Sequence, residues 1–200
     1  MNPYLRILVI ALGGVSLLHA SSERPTVPEV VRPTTAFQNA YYVVHGRLSR
    51  ELRAQINQYG PCDAAGNRHW AYTAWRVDSL FTTRTTPAGV VVDGVEVKVA
   101  VVRTLPQWPA SADDPPELRT QWESFVSALA IHEDGHTEIA KRAAAELLSA
   151  LLELKPAPDE ASLRQCADAA KRHIFERAHG EEADYDRSTD HGRTQGAVLR

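Results

Sequence analysis

Cysteine is almost missing from this 200-residue chain: Cys62 and Cys166 are the only two. That excludes a disulfide-built scaffold and any close-spaced cysteine metal cluster. The pair can make one bridge, closing a loop of about 100 residues and contributing about 3 to 4 kcal/mol in the chain-entropy picture, or stand as two separate buried thiols. Neither sign of charge dominates. With 22 basic and 25 acidic residues and a net charge of −3, the chain lacks the basic surplus of a general nucleic-acid binder. Aromatics are few at 7%, yet 44% hydrophobic and 24% charged residues exclude disordered and collagen-like classes and suffice for one domain with a core. No hydrophobic run reaches the roughly 20 residues of a membrane-spanning helix.

The longest uncharged apolar run, Ile7 to Leu18, follows Arg6 and precedes the small residues Ala20-Ser21-Ser22. It reads as an export signal over residues 1–20, with an uncleaved anchor as the alternative because Leu18 is a poor residue at the −3 position. Export implies a secreted or periplasmic protein with no stable membrane insertion once the signal is removed. Pro25, Pro28 and Pro33 among serines and threonines predict an extended tether over 21–36, leaving 37–200 as a single domain.

Within that domain, Gln38 to Gly46 is rich in aromatic and β-branched residues and predicts a strand. Ser49 offers a helix N-cap. Leu48, Leu52, Ile56 and Tyr59 follow at helical spacing, and Gly60-Pro61 stops that helix. A second strand is expected from Trp70 to Phe81, alternating Ala71, Thr73, Trp75 and Val77 against Tyr72, Arg76 and Asp78. Val90 to Val92, Asp93-Gly94 and Val95 to Thr104 predict a tight hairpin with Val95, Val97, Val99 and Val101 on one face. Asp113 or Asp114 can cap a helix from Glu117 to Leu154, and a second helix is expected from Asp159 to about His179. The order predicts an α+β fold: a small antiparallel sheet packed against a long helix and a second C-terminal helix.

The long helix contains His132-Glu133-Asp134-Gly135-His136, an H-E-x-x-H pattern. Histidines at i and i+4 emerge one turn apart on one face, so both imidazoles can reach one tetrahedral zinc ion, and the intervening Glu133 can serve as general base. Trp122, Phe125, Leu129, His132, His136 and Ile139 share a stripe, which turns both histidines toward the core. The bland alternative is a pair of core histidines satisfied by carbonyls or a structural carboxylate. A zinc hydrolase site needs a third protein ligand, and Glu160, Glu176, Glu181, Glu182, Asp186 and His191 are all open. Glu153 is excluded because it would lie roughly 25 Å further along an unbroken helix.

Three stretches then acquire a joint meaning. Tyr185-Asp186-x-x-Thr189-x-His191-Gly192-x-Thr194-Gln195-Gly196, the H-E-x-x-H segment, and Tyr41-Tyr42-x-Val44-x-Gly46 with Gly60-Pro61 together resemble a bacterial family of predicted secreted zinc-dependent proteases, domain of unknown function 922. The resemblance runs from about residue 37 to the end and implies a zincin-like fold with bound Zn2+. Carried over by position, it implies His132, His136 and His191 as metal ligands and Glu133 as the catalytic base. Tyr185, Arg187 or Arg193 could donate to a developing oxyanion, or pack and pair locally; Asp186 could orient a ligand histidine from behind.

The expected function is therefore an exported zinc metallopeptidase acting on peptide or protein substrates in the cell envelope. Two alternatives stay open: a cell-wall peptide amidase using the same site, and a non-catalytic, zinc-stabilised envelope binding protein.

Overall fold

The computed structural model describes residues 32–200. The export-signal segment and most of the tether lie outside the described residues. The first strand, β1 (Thr34–Val43), starts inside the stretch expected as tether, because Thr34, Thr35 and Ala36 pair with Lys98, Val99 and Ala100. Helix α1 (Ser49–Tyr59) follows, with Leu52 and Ile56 fully buried one turn apart. Ser49 is its first residue rather than its cap; Leu48 holds that place without a side-chain hydrogen bond.

Strands β2 (Tyr72–Thr86) and β3 (Gly89–Gln107) form a longer hairpin than expected. The turn is Pro87-Ala88, not Asp93-Gly94. The run Phe81-Thr-Thr-Arg-Thr-Thr is strongly strand-forming and extends β2 until it has taken up Val90, Val91 and Val92 as partners. The Thr86 hydroxyl then closes the turn, donating to the Gly89 carbonyl at 2.8 Å and accepting from the Ala88 N–H at 3.2 Å. Asp93 becomes the extra residue of a bulge between the Thr82–Gly94 and Thr83–Val92 pairs, and its carboxylate meets Arg84 at 2.8 Å.

The sheet order is β1-β3-β2, with β2 antiparallel and β1 parallel to β3, so the sheet is mixed rather than wholly antiparallel. A parallel neighbour needs a long connection, and α1, the following loop and β2 together provide it. Val77, Val97, Val99 and Val101 are buried on one face, while Glu96 and Lys98 pair on the wet face at 2.8 Å.

Helix α2 (Pro116–Leu152) is 37 residues, about 55 Å long, and is the spine of the fold. Its first half packs Leu118, Trp122, Phe125 and Leu129 with Leu52, Ile56, Leu105 and Trp108; its second half packs Ile139, Ala143, Leu147 and Leu151 against the sheet valines and the next helix. The H-E-x-x-H segment lies between these two apolar sectors.

Helix α3 (Glu160–Thr189) begins where expected, with the Asp159 carboxylate accepting the Ser162 N–H at 2.7 Å, but runs ten residues past His179. Its buried stripe Leu163, Ala167, Ile174, Ala178 continues at the same spacing through Tyr185 to Thr189, which outweighs the roughly 1 kcal/mol that Gly180 costs inside a helix. The chain then turns through Asp190 and His191, both at positive φ (48° and 51°), into a short 3-10 turn, Arg193–Gln195. Beyond it Ala197 and Leu199 are buried against the α1 and α2 residues. Cys62 and Cys166 are both exposed and unbridged. Among the described residues no helix is long and apolar enough to cross a membrane.

The α2–α3 connection docks on the hairpin through paired backbone bonds between Val90 and Ala157, at 2.8 and 2.9 Å. Gly89, at φ 120°, passes so close that a Cβ there would lie 2.4 Å from the Ala157 carbonyl oxygen, whereas Gly66, at φ 87°, faces open space. Gly66→Ala should therefore cost only backbone strain, about 1 to 2 kcal/mol. Gly89→Ala adds a collision with backbone and should cost about 3 kcal/mol or more in urea unfolding. Equal losses would show that the docking is not tight.

Candidate metal centre and cleft

His132, Glu133 and His136 are all buried on the middle of α2, and α3 brings Asp186 down onto them. A single Asp186 oxygen, Oδ1, lies 3.1 Å from His132 Nε2 and 3.0 Å from His136 Nε2. One donor atom from each of these three residues falls within a 4.8 Å group able to hold a metal ion. Around a tetrahedral zinc with bonds near 2.0 to 2.1 Å, neighbouring donors stand about 3.3 Å apart, so the spacing fits.

The far sides of the imidazoles show which electron pairs face the centre. His132 Nδ1 lies 3.0 Å from Gln195 Oε1, and His136 Nδ1 lies 3.6 Å from Glu182 Oε1. Gln195 can accept an Nδ1 proton from His132, and the Glu182 carboxylate stands behind His136. With a proton on each Nδ1, both Nε2 lone pairs and the Asp186 carboxylate face one another, an arrangement that a cation satisfies. Glu182 is itself held, accepting from the Trp75 indole at 2.7 Å and lying 2.9 Å from His179 Nδ1. His179 stacks on Trp75 at 5.0 Å.

The electrostatics agree. Burial works to lower the His136 pKa, but Asp186, Glu182 and Glu133 outweigh it and hold it at about 10. Burial would likewise raise Asp186, yet its bonds to His132 and His136 hold it below the usual carboxylate range. Glu182 is lowered against its burial by His136, Trp75 and His179. Glu133 goes the other way: burial pushes it up more than its bond from Thr73 and the two imidazoles pull it down. The Thr73 hydroxyl donates to Glu133 Oε2 at 2.7 Å, while Oε1 has no hydrogen bond among the described residues.

His132, Glu133, His136, Asp186, Glu182 and Thr73 open onto a cleft of about 640 Å3, which His69, Trp70, Tyr72 and Trp75 also line. His191 also lines the cleft but is exposed; its Nδ1 is 3.7 Å from the other Asp186 oxygen, and it stands outside the three-residue group. The third member of that group is Asp186, one of the carboxylates open in the sequence. Glu176 is exposed on α3, Glu181 pairs with Arg142, and Glu160 with Arg164.

Tyr185 sits behind the metal-facing atoms. Its ring stacks on His132, 5.0 Å away and 10° from parallel, and its hydroxyl accepts from Gln195 Nε2 at 3.0 Å. It is not among the cleft-lining residues. Thr73 and Gln195 had no assigned role from sequence, and Glu182 stood only as one of the open third-ligand candidates. The i, i+4 spacing of Glu182 and Asp186 would have marked two carboxylates on one helix face, had α3 been carried past Gly180.

The chain belongs to the bacterial protein family of unknown function DUF922, whose family model matches residues 39–192. The match takes in the whole three-residue group. No curated protein and no solved structure matches the chain.

Gly135 lets Tyr185 approach: a Cβ there would lie 2.3 Å from the Tyr185 hydroxyl oxygen. Gly180, also helical, has nothing within 4 Å. Glycine to alanine inside an exposed helix normally stabilises by up to about 1 kcal/mol, and Gly180→Ala should do so. Gly135→Ala should have the opposite sign, losing about 1 to 3 kcal/mol in thermal or urea unfolding as Tyr185 is pushed off His132. A stabilised Gly135→Ala would show that Tyr185 is not packed there.

Proposed function

We propose that this chain is an exported zinc-dependent hydrolase that cleaves peptide bonds. The observation that carries the reading is the convergence of His132 Nε2, His136 Nε2 and Asp186 Oδ1 beside a buried Glu133 on an open cleft. Three protein donors at an open cleft fit a catalytic site better than a structural one, which four protein ligands usually close. Export rests on the reading of residues 1–20.

A zinc ion held by His132, His136 and Asp186 would supply Lewis acidity, bringing the pKa of water toward about 7 and polarising a carbonyl. Glu133, fixed through Oε2 by Thr73 and raised by burial, takes the proton of the attacking water and returns it to the leaving amine. Gln195 and Glu182 keep the two imidazoles in the tautomer and orientation that ligation needs, and Tyr185 holds the His132 ring in plane. A donor to the developing oxyanion then comes from the cleft wall, where Tyr72, His191 and Arg193 stand. Burial, with the charges of Glu182, Asp63 and Glu133, raises the Tyr72 pKa and keeps its hydroxyl a donor.

The substrate lies along β2. This strand is at the sheet edge, and its Tyr72, Thr73 and Trp75 line the cleft, so an extended peptide can add to its free backbone groups and bring a scissile bond over the site.

Elemental analysis of the purified protein should find about one zinc per chain. Asp186→Ala should weaken zinc binding by more than about 100-fold, whereas His191→Ala should retain it. Glu133→Gln should keep zinc and folding but lower peptide hydrolysis by on the order of 10²- to 10⁴-fold. Zinc absent after reconstitution, or full activity in Glu133→Gln, would overturn the reading.

A further inference from the structure

Next to the cleft lies a second cavity of about 460 Å3, and three arginines, Arg50, Arg53 and Arg193, line it together with Asn57, Trp70 and Leu199. Trp70 and Arg193 line both cavities, so the two are neighbours that share these side chains as a wall. One wall is a single face of α1, where Arg50, Arg53 and Asn57 recur at i, i+3 and i+7. The Trp70 indole donates to Asn57 Oδ1 at 2.7 Å and ties the opposite wall to that face.

Local rules argue against arginines at these positions. Like charges at i, i+3 repel on a helix surface, and the first turns of a helix carry the positive end of its dipole, which disfavours cations. The one acidic residue in the first turn, Glu51, is engaged by the Arg47 N–H at 2.9 Å, and among the described residues neither Arg50 nor Arg53 has an acidic partner within 4.0 Å. Arg193 has one, Asp190, at 3.3 Å. A chain with net charge −3 thus concentrates three guanidinium groups in one concave, partly apolar pocket beside its candidate site. Departures from local preference of this kind gather where a ligand supplies the missing partner.

We propose that the Arg50, Arg53 and Arg193 pocket is a subsite for a carboxylate of the substrate, so that the protein selects acidic peptides. This rests on the hydrolase reading above for the scissile bond. Trp70 lies two residues before the start of the β2 edge on which the peptide is laid, so a chain extending from the candidate metal centre past Tyr72 runs toward the pocket. The planar guanidinium fork matches a carboxylate, and a desolvating tryptophan wall strengthens the pairing.

The test uses the full chain, zinc-loaded and carrying Glu133→Gln so that nothing is cut, and a set of fluorescein-labelled decapeptides in which one glutamate is walked through a glutamine and alanine background. Anisotropy titration should find peptides with glutamate at one or two positions binding about ten-fold tighter than the all-glutamine peptide, with the difference lost in Arg50→Gln/Arg53→Gln. Both arginines are exposed on α1, and circular dichroism melting checks that the variant is folded. Equal affinity for glutamate and glutamine peptides, or a preference that survives the double substitution, overturns the proposal. Displacement of either probe alike by millimolar inorganic phosphate, with no glutamate preference, overturns it in favour of a phosphate site. The two readings separate: glutamate-selective binding without cleavage by the wild-type chain removes the hydrolase and keeps the subsite, while cleavage with equal KM for both peptides does the reverse.

Discussion

The arrangement of this molecule depends on one electrostatic constraint: two imidazole nitrogens and a carboxylate oxygen pointed at one another in a buried place. Unshared electron pairs repel, and in a medium of low dielectric they do so more strongly than in water. Asp186, Glu182 and Glu133 favour the charged form of His136 against its burial, and the two histidines favour the ionised form of Asp186. The surrounding structure is therefore built to resist relaxation. Gln195 and Glu182 stand behind the two rings, Thr73 restrains Glu133, and Tyr185 lies flat on His132. They come from β2, α3 and the C-terminal turn and act on residues of α2, so the geometry holds only when the sheet, both long helices and that turn are assembled together.

That requirement explains why α2 is long and where its chemistry sits. A helix that packed one apolar core along its whole length would leave no place for buried charge. Here the core is split, with aromatic residues around Phe125 on one side and alanines and leucines against the sheet valines on the other. The polar residues of the motif occupy the seam. There each buried polar atom finds a partner, since among the described residues no buried side-chain nitrogen or oxygen lacks one. Arg103 secures the same stretch from the outer side, donating to the Ala130 carbonyl and pairing with Asp134 in the motif itself.

Much of this was legible in the sequence, and the exceptions share a cause. The alternation of Val95, Val97, Val99 and Val101 and the stripe through His132 and His136 report burial directly, because one face of each element is apolar and the other is not. The Asp93-Gly94 dipeptide misled because turn propensity is local, whereas the hairpin is closed by fifteen paired positions, and the threonine run of β2 outvoted one favourable turn. Gly180 misled in the same way at the end of α3. With the helix cut short, Asp186 reads as part of a polar tail, and its place against His132 and His136 cannot be seen from the sequence. Extending the helical stripe to Tyr185 and Thr189 places Asp186 one position round from Tyr185 and aims it at the histidines. The parallel pairing of β1 leaves no local signature at all, because it is decided by what β3 has to spare after β2 has paired.

The strain in the structure lies just beyond Asp186. Asp190 and His191 adopt left-handed conformations that cost about 1 to 2 kcal/mol apiece outside glycine, and no packing of the two exposed side chains offsets it. The offset comes seven to nine residues later, where Ala197 and Leu199 are buried among α1 and α2 residues and so fasten the turn at its far end. What lies between is Gln195, against His132, and the turn that closes over the end of α3 just beyond Asp186. A frayed terminus would need neither the strained residues nor the buried anchor. The tail is thus a strap that converts hydrophobic burial at one side of the molecule into a fixed orientation for the first histidine at the other, and this makes the last residues of the chain as much a part of the site as the motif in the helix.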